Sequence, residues 1–182
     1  MAQLFRLVLQ KGETEITVSK EIELISYYLH IQKMRFGKKL DYRINIEKAI
    51  EEKAIPKLIL QPFVENAIVH GLERTGTGII EISGCQTDTE MVFTIRDNGV
   101  GMSKEQLDRI LMGEEGRVYA SQRIGGYAIH NVRKRLQLKY EGGFFLSIES
   151  EVDKGTTATI KLPMNISVKG GNFHNGNQSP HR

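Results

Sequence analysis

Apolar residues along this chain follow two periods, one near 3.6 and one of two, and the switches between them mark the elements. Ile22, Ile25 and Leu29 share one helical face, Ser19 stands where a cap belongs and Gly37 where a helix stops, which predicts a helix over 19–36. Leu40, Tyr42, Ile44 and Ile46 alternate with Asp41, Arg43, Asn45 and Glu47, the pattern of a half-buried strand. Pro56 suits the first turn of a second helix running through KLILQPFVENAIVH to Gly71, with Pro62 kinking its early turns. Period two returns at Ile79–Cys85 and Met91–Asp97, joined by QTDTE. Ser103 and Gln106 form a capping box, with Met102 and Leu107 as its staple, so a short helix starts at Ser103. The polar, glycine-bearing stretch Gly113–Gly126 shows no period. A helix then runs to Tyr140 with Ile129, Val132 and Leu136 inward, and Phe144–Ser150 and Thr156–Leu162 close a hairpin around Asp153-Lys154-Gly155. Hairpin-linked strands interspersed with helices give an α+β fold, an antiparallel-rich sheet with helices on one face.

Composition narrows the class. At 182 residues the chain holds one domain with a substantial core, and 40% apolar with 26% charged residues is ordinary for a globular protein. No apolar run is long enough to span a membrane, and MAQLFRLVLQ is too interrupted for a signal peptide. One cysteine, Cys85, forms no intrachain disulfide and suits a reducing compartment. A net charge of +3 with scattered basic residues gives no nucleic-acid tract. Ser167 onward is Gly-, Asn- and Ser-rich and reads as a disordered tail.

Four places carry candidate chemistry. In IRDNGVGM, residues 95–102, Asp97 falls in phase with Met91, Phe93 and Ile95, so either a carboxylate faces the core and needs a donor, or the strand ends at Arg96. In FVENAIVHG, Asn66 and His70 are spaced i, i+4 with Glu65 beside them. An asparagine oxygen suits a hard cation such as Mg²⁺, Glu65 suits polarising a water or hydroxyl, and His70 suits reaching a phosphate. The same stripe also fits a solvated helix face. Gly125 and Gly126 precede a helix, the outline of a phosphate cradle or of a simple hinge. Beyond them Arg133, Lys134, Arg135 and Lys139 read as a solvated surface rather than an anion-binding one. Thr156, in phase with Ala158, Ile160 and Leu162, turns its hydroxyl inward and sits where it can share a water with Asp97.

The order of these motifs is more specific than any of them. Glu-Asn-Ala-x-x-His-Gly, then Asp-x-Gly-x-Gly about thirty residues on, then a glycine-bearing loop and helix, then Gly-Thr before a strand, resembles the ATP-binding domain of the GHKL superfamily over 56–163. LILQPFVENAIVHG resembles the N box, and HNVRKRL the second glycine box, of LytS/YesM-type sensor histidine kinases. YYLHIQKMRFGKKLDY resembles the stretch that precedes their catalytic domain. The resemblance implies a Bergerat-type two-layer sandwich with a mixed, mostly antiparallel sheet. It implies a linker helix segment over 1–37, an ATP-binding catalytic domain over 38–164 and a tail over 165–182. It implies that Asn66 binds Mg²⁺ on the triphosphate beside Glu65 and His70. Asp97 would accept from the adenine amino group, with Gly99 and Gly101 admitting the purine. The 113–126 region would be a mobile lid, Gly125 and Gly126 would cradle phosphates, and Thr156 would support Asp97 through water.

Two departures matter. Ala128 stands where the family's second glycine box carries glycine, and the phosphoacceptor motif Pro-His-Phe is not present, His30 being no substitute. The expectation is therefore a catalytic fragment of a two-component kinase, cytoplasmic and part of a membrane-anchored sensor. Its partners would be ATP, a phosphoacceptor-histidine segment in a homodimer, and a response regulator, without nucleic acid or membrane contact. The alternatives are a degenerate interaction module of the same fold and, ranked last for want of transducer domains, a topoisomerase- or repair-type ATPase.

Overall fold

The computed structural model describes residues 14–72, 76–112 and 125–164, with backbone alone at 70–72, 112 and 125–127. Elements are β1 (Glu15–Thr17), α1 (Val18–Phe36), β2 (Leu40–Ile46), α2 (Lys48–Glu51), β3 (Ala54–Pro56) and α3 (Gln61–Asn66), which passes into a π turn over Ala67–Leu72. They continue as β4 (Gly78–Gln86), β5 (Glu90–Asp97), α4 (Lys104–Met112), α5 (Gly125–Tyr140), β6 (Phe145–Glu151) and β7 (Gly155–Pro163). The expected stretch Gly113–Gly126, but for its last two residues, and the expected tail lie outside the described residues.

Five strands form one sheet in the order β2-β4-β5-β7-β6, and β1 pairs with β3 in a separate ribbon. Only β2 and β4 run parallel; the other pairs of the large sheet are antiparallel, so it is mixed and mostly antiparallel, as expected. Ile80, Ile82, Phe93, Ile95, Ala158 and Ile160 bury one face, while Glu81, Arg96 and Glu149 mark the other. Onto the buried face pack Leu29 of α1, Val64 of α3, Ile110 of α4 and Val132 of α5, within a single core cluster. The architecture is α+β with helices on one face.

Two local expectations are corrected. Thr17, not Ser19, caps α1, accepting from the Lys20 amide at 3.2 Å, and Gly37 ends the helix with φ +61°. Pro56 starts no helix. It ends β3, opposite Glu15, because the apolar Ile55 is worth more paired beside Ile16 than wound into an exposed turn. Leu58 then takes φ +58°, which no α-helix admits, and the helix begins only at Gln61. Pro62 therefore lies in the first turn, where its missing N–H costs nothing, and kinks nothing. The Ser103–Gln106 capping box forms as the sequence predicts, at 2.9 and 3.3 Å.

Candidate functional site

Strand β5 delivers the first group. Strand order extends through Asp97, which pairs with Ile80 on one side and Thr156 on the other, so the side chain keeps the phase of Met91, Phe93 and Ile95. It is 9% exposed. Its Oδ1 accepts from the Gly99 amide at 2.8 Å. Burial pushes the carboxyl above its ordinary pKa, and the backbone amides of Gly99 and Thr156 pull it back.

Two loops interlock below it. Asn98 Oδ1 accepts from the Ile79 amide at 2.7 Å, tying the turn to β4. The Asp153 amide donates to Val100 O at 2.7 Å. A Cβ on Gly101 (φ +61°) would fall inside the Glu151 carbonyl, and one on Gly155 (φ +97°) inside the Asp97 carbonyl. Gly101 is thus demanded by a neighbouring backbone, in addition to any room it gives a ligand.

Thr156 reaches Ser150 Oγ at 2.9 Å, while Ser150 Oγ donates to Gly155 O at 3.0 Å. Ser150 has one hydroxyl hydrogen, so the Thr156 hydroxyl donates to Ser150 and keeps its oxygen lone pairs for an incoming donor. The sequence reading missed Ser150; the hairpin register, which sets Ser150 opposite Thr156, is the signal that finds it.

Helix α3 delivers the remaining groups. Glu65 is half-buried, its Oε1 accepting from Gln61 Nε2 at 2.8 Å. Asn66 Oδ1 is buried and has no partner among the described residues. The α-helical period that put Asn66 and His70 on one face stops at Asn66, where the π turn begins, and the His70 side chain lies outside the described residues. Gly125 and Gly126 are the first two residues of α5, at the positive end of its dipole, with Ala128 half-buried in the same turn.

One pocket gathers Asn66, Asp97, Gly101 and Thr156, with apolar walls that include Ile95, Met102 and Ile129. Glu65 and Gly99 are not part of its described lining. Such a pocket takes a flat ring between aliphatic walls and reads it through one buried acceptor, which selects a ring bearing an amino donor. Among the described residues no three His, Cys, Asp or Glu side chains cluster as a metal site. The lone oxygen of Asn66 thus fits a hard cation that draws its other ligands from phosphate and water.

A family model described as "Histidine kinase-, DNA gyrase B-, and HSP90-like ATPase" matches residues 51–166, and one described as "Histidine kinase" matches residues 1–40. Sensor histidine kinase YesM of Bacillus subtilis is 32% identical over 84% of this chain, and sensor protein LytS of Bacillus anthracis 30% identical over 89%. The chain spans 25% and 27% of those relatives' own lengths. Among solved structures, the nucleotide-free catalytic domain of histidine kinase ThkA superposes with a TM-score of 0.62 at 18% identity, over 83% of this chain and 95% of that one. Acinetobacter baumannii histidine kinase AdeS gives 0.59 at 15% identity, over 90% of this chain and 74% of that one. These two likenesses concern the fold.

Proposed function

We propose that this chain, which belongs to the histidine kinase-, DNA gyrase B-, and HSP90-like ATPase family, is the ATP-binding catalytic domain of a sensor histidine kinase. The γ-phosphoryl of ATP passes to a histidine outside this chain. The observation that carries the reading is one apolar-walled pocket lined both by the buried Asp97 and by Asn66, whose side-chain oxygen has no partner among the described residues.

Asp97 accepts from the adenine amino group, and Thr156 Oγ1 accepts from a water shared with that carboxylate. The Gly125 and Gly126 amides, at the start of α5, hold phosphate oxygens against the positive end of the dipole. Asn66 Oδ1 would hold Mg²⁺, which when bound would supply charge neutralisation for the triphosphate. Glu65, oriented by Gln61 Nε2, takes the proton that the attacking imidazole sheds, and we assign to His70 a phosphate oxygen. The bond from the γ-phosphorus to its bridging oxygen breaks, a phosphorus–nitrogen bond forms, and ADP leaves. Little covalent chemistry falls to the protein, so rate enhancement comes from positioning and charge neutralisation.

No described helix is long and apolar enough to cross a membrane. Since ATP is an intracellular substrate and the relatives are named sensors, we place this domain on the cytoplasmic side of a membrane-anchored sensor. It acts within a homodimer and ahead of a response regulator.

Titration calorimetry with MgATP, followed by incubation with a histidine-bearing helical segment of the longer kinase, tests the reading. Binding and an acid-labile phosphohistidine on the segment are expected, with Ala128→Gly binding more tightly if the extra methyl crowds the phosphates. No heat at millimolar MgATP from either the wild type or Ala128→Gly would leave a non-catalytic interaction module of the same fold.

A further inference from the structure

Glu21 is the most deeply buried charged residue described, at 0% exposure, yet it lies on α1, far in sequence from every motif of the pocket. Its two oxygens serve one short segment. Oε2 accepts from the Leu58 amide at 2.6 Å and Oε1 from the Leu60 amide at 2.7 Å. Burial raises the carboxyl's pKa, and the backbone amides from Leu58 to Gln61 work against that rise. Leu60 is the residue that leads into α3, and it supplies no side-chain cap of its own.

The opposite edge of the same segment is held as well. Arg135 of α5 donates through Nη1 to Leu58 O at 3.4 Å and through Nη2 to Lys57 O. Arg135 is half-buried, not part of a solvated face. Burial lowers its pKa and the charge of Glu21 raises it, so the two act on each other across the segment. Residues 57–60 thus present amides to an anion on α1 and carbonyls to a cation on α5. The left-handed φ of Leu58 turns the peptides to do so.

We propose that Glu21 is a positioning residue of the nucleotide site: with Arg135 it clamps residues 57–60, and so fixes helix Gln61–Asn66 and the Asn66 oxygen relative to Asp97. Phe63 and Val64 seat this short helix in the core, and the bonds from Glu21 and Arg135 set how residues 57–60 lead into it. Asp97 stands on the central strand β5, flanked by β4 and β7, and is independent of that grip. Helix α1 is then part of the site's geometry rather than a spacer, and a rotation of α1 moves the Asn66 end of the pocket while leaving the Asp97 end in place.

This rests on the ATP reading above, and the test separates the two. In Glu21→Gln one acceptor becomes an NH₂ facing a backbone N–H. MgADP affinity is expected to fall about tenfold or more, the scale of one lost interaction with a charged group. The tightening that Mg²⁺ gives ADP should disappear, while adenosine, which needs only the Asp97 end, binds within about twofold of wild type. Arg135→Gln should reproduce the pattern from the other edge and decides the matter if Glu21→Gln does not fold. A folded variant that keeps the Mg²⁺ dependence, or that loses adenosine and MgADP by the same factor, overturns the proposal. Should the wild type bind no nucleotide, the ATP reading falls and hydrogen exchange decides this one. Faster exchange of the 60, 61 and 63–66 amides in Glu21→Gln, with β5 unchanged, supports the clamp; unaltered exchange overturns it.

Discussion

Asp97 carries a carboxyl into a pocket walled by aliphatic side chains, and the cost of that burial sets a pH dependence of definite sign. Its folded pKa lies above the unfolded value, so the native state holds this proton more tightly. The contribution of Asp97 to stability is full below the ordinary carboxylate range and is lost as pH rises through the raised folded pKa. Asp97→Asn removes that loss while keeping an oxygen for the Gly99 amide, so its melting temperature should exceed the wild type's at neutral pH. The adenine amino group would meet an amide in place of an anion, at a cost on the order of 10- to 100-fold in MgATP affinity, the worth of a hydrogen bond to a charged group. Thermal melts across pH 4–8 beside nucleotide titrations check both. A variant that loses binding without gaining stability would show that Asp97 is held by more donors than Gly99 and Thr156. At this scale the phase of β5 singled out Asp97, because side-chain alternation along a strand is fixed by the backbone, but only the pairing with Ile80 and Thr156 decided that the strand reaches it. Ser150 and Arg135 were not legible: each acquires its partner from a segment that no local period relates to it.

Among the elements, α4 illustrates structure written in adjacent residues. Ser103 Oγ accepts from the Gln106 amide and Gln106 Oε1 from the Ser103 amide, and Met102 and Leu107 both pack against the core. Nine residues make a marginal helix, and Ile110 from this one lines the pocket. Ser103→Ala should cost about 1 kcal/mol and lower the melting temperature by about 2–4 °C. Calorimetric melting checks this, and an unchanged melt would mean that packing alone holds α4. The stretch 54–66 shows the contrary case. Pro56, Leu58 and Pro62 are compatible with several readings, and the choice among them is made by pairing to Glu15–Thr17 and by the Glu21 carboxylate. Local propensity is a weak prior there, and tertiary contacts override it.

Over the whole molecule, α1 is held by the same core as the sheet. Val18, Ile25 and Leu29 belong to the cluster that includes Ile80, Phe93 and Ile160. Leu29 is 0% exposed, and Leu29→Ala should destabilise the entire domain by about 2–5 kcal/mol. Chemical denaturation followed by a probe on the sheet checks it: one cooperative transition shifted to lower denaturant is expected, and loss of α1 ahead of an unshifted sheet transition would refute it. The sequence by itself determined the α+β class, the strand phases, the α4 cap and the order of motifs, because period, capping and chirality act between near neighbours. It also placed Asp97, Asn66, Gly101 and Thr156 as candidates. Only the tertiary structure decided that these four face one pocket, that Gly101 yields its Cβ to the Glu151 carbonyl, and that a carboxylate from α1 holds the segment leading to Asn66. Those facts depend on burial and on donors brought together across long sequence separations, and such distances exist only once the chain has closed on itself.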